Sequence, residues 1–210
     1  MELPEDYKRG YKDFLGVKID LSFRPLIPRE ETEDWVKGVI GEIKGGCLDL
    51  FAGSGCIGLS ILKNIPDSIC DFGDKEGSFL KGIKKSAEEN GIAEERFSLI
   101  ETDIFSNISK KYDYILANPP YVAERRIDEV GEDVKMFEPS IALYGGSDGM
   151  EIIKKFLNEA NDYLKEKGII YMEFDPEQKN WIEEIIKDKY SSFEFFKDRY
   201  NKYRFVKIEK

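Results

Sequence analysis

Apolar positions recur along the chain with two alternating periods. Trp35, Val36, Val39, Ile40 and Ile43 share one face of a predicted helix over residues 32 to 44, with Thr32 as its cap. Glu33 and Asp34 stand at the positive end of its dipole. "CLDLF" then reads as a buried strand, followed by the turn "AGSG" and a helix through about Asn64. A strand near Ile69 to Phe72, a helix near Ser78 to Glu89, and strands at Phe97 to Glu101 and Tyr112 to Ala117 continue the alternation.

Beyond "NPPY" the chain reads as irregular until about Gly149. A helix carrying Ile153, Phe156, Leu157, Ala160 and Leu164 follows, then the strand "IIYMEF", a helix after Pro176, and two strands joined by a polar turn at the end. This order predicts one α/β domain around a mostly parallel, seven-stranded sheet with an antiparallel C-terminal edge pair. Such sheets bind ligands beyond the carboxyl ends of their strands. Both "AGSG" and "NPPY" fall at such ends.

Composition narrows the chemistry. The chain has 210 residues, 41% of them hydrophobic and 13% aromatic, which suits a single domain with one sizeable core. It contains no histidine, which removes Ser-His-Asp and Cys-His catalysis and most zinc sites. Cys47, Cys56 and Cys70 show no CxxC spacing and fit reduced thiols. No apolar run approaches the roughly 20 residues of a membrane helix, and "MELPEDYKRGYKD" lacks a signal-peptide core, so a cytoplasmic protein without membrane contact is expected. The net charge of −10 argues against a broad nucleic-acid surface.

The turn from Gly53 to Gly58, "GSGCIG", matches GxGxxG after a predicted strand, and Asp74 ends the next strand, where a carboxylate can accept ribose hydroxyls. A dinucleotide and S-adenosylmethionine both fit that pattern. Asp49, inside "LDLFAGSG", separates them: its charge would crowd a pyrophosphate but suits a cationic methionyl end, directly or through water. Ala52, Gly53 and Gly55 allow close approach of a ligand to the backbone. Asp103, just past the third strand, is placed for an adenine amino group, with Ile104 beside the ring.

The fourth strand ends in "NPPY". An amide or exocyclic amino nitrogen is a poor nucleophile because its lone pair is delocalised. Asn118 Oδ1 and the Pro119 carbonyl, accepting its two protons, would localise that pair, while Tyr121 stacks on the planar group. A methyl carried on a sulfonium needs no strong base, so the absence of histidine is no obstacle. Lys84, Lys85, Lys110 and Lys111 read as a solvated face. Arg125 and Arg126 follow the acceptor motif and could guide an anionic partner. Trp35 reads as packing, and "GGSDG" as either a tight turn or a mobile rim.

These residues resemble the HemK-type glutamine methyltransferases, which act on the glutamine of the Gly-Gly-Gln loop of peptide chain release factors. "NPPYV" is shared with adenine amino-methylating enzymes. "LIPREETE" (26 to 33) and "FEPSIALYGGSDGMEI" (137 to 152) look like segments particular to the family, and "YRFVKI" is similar to its last strand. Glu30 stands where a proline is usual, and Phe51 where glycine is common. The resemblance implies a Rossmann-like class I methyltransferase domain over residues 29 to 210, S-adenosylmethionine as cofactor, S-adenosylhomocysteine as product and no metal. It implies cofactor contacts at Asp49, Phe51, Ala52, Gly53, Gly55, Asp74, Asp103, Ile104 and Asn118. Substrate contacts fall at Asn118, Pro119, Pro120 and Tyr121, with Arg29 and Glu31 at the entrance.

Residues 1 to 28 are expected to form only a short segment where the family usually carries a helical docking domain. A monomer acting on a release factor is expected. The alternatives are an adenine amino-methyltransferase acting on DNA or RNA, a non-catalytic scaffold or activator and, further off, a nucleotide-dependent dehydrogenase.

Overall fold

A computed structural model of the chain describes residues 2–210. It opens with helix α1 (Glu5–Arg9), the antiparallel hairpin β1 (Tyr11–Phe14) and β2 (Val17–Asp20), and helix α2 (Glu30–Val39). Strands and helices then alternate: β3 (Gly46–Leu50), α3 (Cys56–Asn64), β4 (Ile69–Asp74), α4 (Gly77–Glu89), β5 (Phe97–Glu101) and β6 (Tyr112–Ala117). The second half holds α5 (Glu132–Phe137), α6 (Glu151–Glu159), β7 (Leu164–Glu173), α7 (Lys179–Ile186), β8 (Ser192–Lys197) and β9 (Tyr203–Glu209).

Seven strands form one sheet in the order β5-β4-β3-β6-β7-β9-β8. All neighbours are parallel except at β9, which pairs antiparallel with both β7 and β8. The chain moves outward from β3 to β5, then crosses back to place β6 on the other side of β3. That reversal opens a crevice at the carboxyl ends of β3 and β6, the usual ligand site of such sheets.

The two faces of the sheet carry separate apolar clusters. One gathers α2, α3 and α4 with Trp35, Ile57, Leu59, Ile83 and Phe72; the other gathers α6 and α7 with Phe156, Leu157 and Ile182. Residues of the first 28 enter the first cluster directly, with Phe14, Val17, Ile19 and Leu21 all buried. The hairpin is fastened to α4 by Asn90, whose Nδ2 donates to Lys18 O at 2.8 Å, and by Ser86 Oγ, which accepts from Asp20 N at 2.9 Å. Short alternating strands of this kind give little signal in the sequence, because each offers only two or three inward positions.

Three expectations are corrected. Thr32 does not cap its helix: α2 begins at Glu30 with Arg29 as cap, and Thr32 is buried with its hydroxyl bonded to Glu173. The helix over Ile153 to Leu164 ends at Glu159, passes through a 3-10 turn and yields Leu164 to β7, where it pairs with Tyr112 before the register shifts. Residues 122 to 148 are not irregular throughout, since they contain α5 and a bridge between Val122 and Tyr144. No helix among the described residues is long and apolar enough to cross a membrane.

Candidate functional site

A cavity sits over the β3–β6 crevice. The glycine turn makes one wall. Phe51, Gly53 and Gly55 all hold left-handed backbone, with φ of 61°, 52° and 73°. Glycine adopts that conformation freely, whereas Phe51 does so at a cost. A family glycine at position 51 therefore has a physical reason, and here the aromatic ring is held edge-on to Phe156 at 5.8 Å. Gly58 serves packing: a Cβ there would lie 2.4 Å from the Phe72 ring, so α3 can seat on β4 only without one.

Two acids brace this turn. Asp74 Oδ2 accepts from Gly53 N at 2.7 Å and Oδ1 from Glu76 N at 2.8 Å. Asp49 Oδ2 accepts from Gly58 N at 2.8 Å, while Oδ1, fully buried, meets no donor of the protein. Burial raises both carboxyls, Asp49 up to about 8, and the neighbouring Asp74 charge adds to the effect on Asp49. Asp49 already takes up the Gly58 N–H on the first turn of α3, a donor that a pyrophosphate would need. The turn is thus poorly suited to a pyrophosphate.

Asp103 and Ile104 complete that side. Ile104 is buried, lines the cavity and also holds positive φ, at 56°. Asp103 lines it with Lys75, whose Nζ lies 3.2 Å from Asp103 Oδ2.

The opposite wall comes from β6 and its sequel. Asn118 and Pro120 face the cavity, and Asn118 Nδ2 lies 3.5 Å from Thr32 Oγ1. Pro119 and Tyr121 do not line it. The Tyr121 side chain packs against the second apolar cluster, and burial beside Glu173 raises its hydroxyl pKa. The "GGSDG" stretch packs against the backbone of the motif. A Cβ on Gly145 would come within 2.5 Å of Pro120 O, and one on Gly149 within 2.4 Å of Tyr121 O. Gln178 Nε2 ties the two stretches together, donating to Tyr121 O at 3.0 Å and Gly149 O at 2.8 Å. "GGSDG" is therefore a packed brace and not a loose rim.

Arg29 reaches the cavity mouth, where its guanidinium donates to Glu138 Oε1 at 2.6 Å. Glu138 Oε2 also accepts from Ile27 N at 3.1 Å, so one buried acid joins the "LIPREETE" and "FEPSIALYGG" segments over the site. Glu31 does not join it; it faces a second groove with Asp34, Trp35 and Arg199. Asp49 likewise lies beneath the wall rather than in it. Arg126 is engaged by Glu129, Asp175 and Glu177, while Arg125 stays exposed.

Sequence reasoning missed Thr32, Glu138, Glu173 and Gln178 as parts of the site. Glu173 left the clearest trace, a lone acid in the apolar run "IIYMEF". Among the described residues no cluster of His, Cys, Asp or Glu could hold a metal ion.

The sheet order, the crevice and the two walls define a methyltransferase-type α/β domain, and a methyltransferase from Pyrococcus furiosus has a similar fold. It superposes with a TM-score of 0.66 at 20% identity, over 92% of this chain and 88% of that one. The methyltransferase small domain family model matches residues 35–140. Release factor glutamine methyltransferases of Streptococcus pneumoniae and Thermodesulfovibrio yellowstonii are 35% and 34% identical, over 88% and 87% of this chain. The chain belongs to the methyltransferase small domain family and, within it, to that of the release factor glutamine methyltransferases. It spans about two thirds of the length of these relatives, 66% and 67%.

Proposed function

We propose that the protein methylates a glutamine side-chain amide of a peptide chain release factor, in its Gly-Gly-Gln loop, with S-adenosylmethionine as donor. The observation that carries this reading is that one cavity joins the glycine turn and its acids to Asn118 and Pro120 of the acceptor motif. When bound, the cofactor supplies an electrophilic methyl group on a sulfonium and leaves as S-adenosylhomocysteine.

The residues divide the work. Phe51, Ala52 and Gly53 would present backbone to the cofactor, Asp74 would take its ribose, Ile104 and Asp103 its base, and Asp49, beneath the wall, would hold the turn that receives its cationic end. Asn118 Oδ1 would accept a hydrogen bond from the incoming amide N–H and so concentrate the nitrogen lone pair, and the proton released on methylation would pass to solvent. Orientation and fixed dipoles make up the catalytic contribution, with no base required. Pro119 and Tyr121 act on the substrate only from behind the wall, the carbonyl and ring shaping the strand end that carries Asn118.

Residues 29 to 210 carry the catalytic elements in this reading, with the N-terminal hairpin packed into the same core, and the protein works as a monomer in the cytoplasm and without a metal. The net charge of −10 favours a polypeptide over a nucleic-acid substrate. The test is mass spectrometry of the release factor's Gly-Gly-Gln peptide after incubation with protein and cofactor. A gain of one methyl on the glutamine is expected; an unmodified peptide, with methyl appearing instead on adenine in RNA or DNA, overturns it.

A further inference from the structure

Asn118 is tethered by a chain of hydrogen bonds that starts at Thr32, which lines the cavity beside it, and whose polarity can be read from its far end. Glu173, the last residue of β7, and Thr32, on the first turn of α2, are 1% and 2% exposed. The Trp35 indole can only donate, and gives its proton to Glu173 Oε2 at 2.8 Å. Thr32 Oγ1 gives its single proton to the same oxygen at 2.7 Å. With that proton committed, Thr32 Oγ1 offers Asn118 only lone pairs. An amide oxygen at that position would set lone pair against lone pair, whereas the amide nitrogen brings a hydrogen.

We propose that Thr32, held by Glu173, is the positioning residue that fixes the Asn118 amide with Nδ2 turned to Thr32 and Oδ1 left free for the substrate. The inference rests on the reading of Asn118 as an acceptor for amide protons, and it identifies what makes that reading possible. A flipped amide would aim its own two protons at the protons of the incoming nitrogen. The Nδ2 to Oγ1 separation of 3.5 Å is at the long end for a hydrogen bond, as is usual for catalytic contacts before substrate is bound. Neither Thr32 nor Glu173 needs to touch the reacting atoms for this role. It explains why a threonine hydroxyl and a carboxylate are buried together next to a catalytic amide, where burial of either alone is costly.

The experiment uses the full chain, Thr32→Val and Thr32→Ser. The first keeps the shape and removes the hydroxyl; the second keeps the hydroxyl. The Asn118 side-chain amide is followed in 1H–15N spectra, assigned by its disappearance in Asn118→Asp, beside cofactor affinity and turnover on a release factor. In wild type and Thr32→Ser, two dispersed amide proton resonances are expected, with the one bonded to residue 32 protected from exchange. In Thr32→Val they move toward free-amide positions and exchange quickly, and turnover falls roughly 100-fold with cofactor affinity retained, the size of effect a small misplacement produces. A folded Thr32→Val protein with unchanged amide resonances overturns the proposal, as does Thr32→Ser failing to restore them. Should valine prevent folding, Thr32→Ala removes the same hydroxyl without added bulk. A wild type that leaves the release factor unmodified sinks the substrate reading alone, because the amide resonances still decide this inference.

Discussion

The two walls of the cavity are held by contacts of very different reach. On the glycine-turn wall, Asp49 braces Gly58 across 9 residues and Asp74 braces Gly53 across 21. On the acceptor wall, Thr32 meets Glu173 across 141 residues, Arg29 meets Glu138 across 109, and Tyr121 is tied to Gln178 across 57. The glycine turn of the first wall and its two braces belong to one β-α-β unit, and their bonds form with that unit. The second exists only once the helix before the sheet, the strand after it and the long connection between them have all docked. A ligand that needs only the first wall should therefore tolerate damage that abolishes work at the second.

Substitution at Asn118 should separate the walls most sharply. Asn118→Ala is expected to lower turnover at least about 100-fold, the effect of deleting one directed dipole at a reacting group. Single-turnover assays with radiolabelled cofactor and release factor measure it, and isothermal titration should give a much smaller change in cofactor affinity. An equal loss in both would erase the distinction between the walls. Asp74→Ala attacks the other side: losing a charged acceptor of ligand hydroxyls should weaken S-adenosylmethionine binding by about tenfold or more. Titration with NADH should give no binding to either form. Tighter NADH than S-adenosylmethionine binding would return the dinucleotide reading.

Packing behind the acceptor wall comes next. Gly149→Ala places a Cβ against Tyr121 O at a residue with φ of 75°, and is expected to cost about 1–3 kcal/mol of stability. Thermal unfolding checks the stability, and release-factor turnover should fall further than cofactor binding.

Asp49 gives a pH signature. Its folded carboxyl is pushed up to about 8 from the ordinary value of 3.8, so the folded state binds the proton more tightly than the unfolded chain. Its contribution is fully present below about pH 4 and is lost as pH rises toward 8. Denaturant unfolding without cofactor should show stability declining across that window, and Asp49→Asn should flatten the decline. Asp74 and Glu173, also raised by burial, contribute slopes of the same sign and remain in the variant. A decline that persists unchanged in Asp49→Asn would remove this acid from the account. The smallest effect is expected at the cavity mouth. Glu138→Gln keeps an acceptor for Ile27 but weakens the bond to Arg29, costing about 1 kcal/mol.

Legibility in the sequence follows the same division. The strand "CLDLF", the turn after it and Asp74 at the end of β4 were all readable, because their periodicity, glycine spacing and acids lie within one short stretch. Strands β5 and β6 were placed at their true ends for the same reason. The insertion of β9 between β7 and β8 was not readable, since a terminal strand pair looks alike whether it adds at the edge or one strand slips inward. Thr32 shows the limit most clearly. As a sequence position it is a good helix cap; in the fold it sits two residues inside the helix and points at an acid from the far end of the chain.

What the sequence by itself determined is the α/β order, the crevice at the carboxyl ends of the strands, and the chemistry available there: amides, acids and backbone, without imidazole. Those properties depend on residue type and short-range spacing, which any chain of this sequence carries before it folds. Only the tertiary structure decided which residues hold Asn118, that Tyr121 packs against the second apolar cluster, and that Glu31 faces another groove. These depend on the docking of distant segments into one packed interior, where a single buried carboxylate can be satisfied only by partners that no local rule brings together.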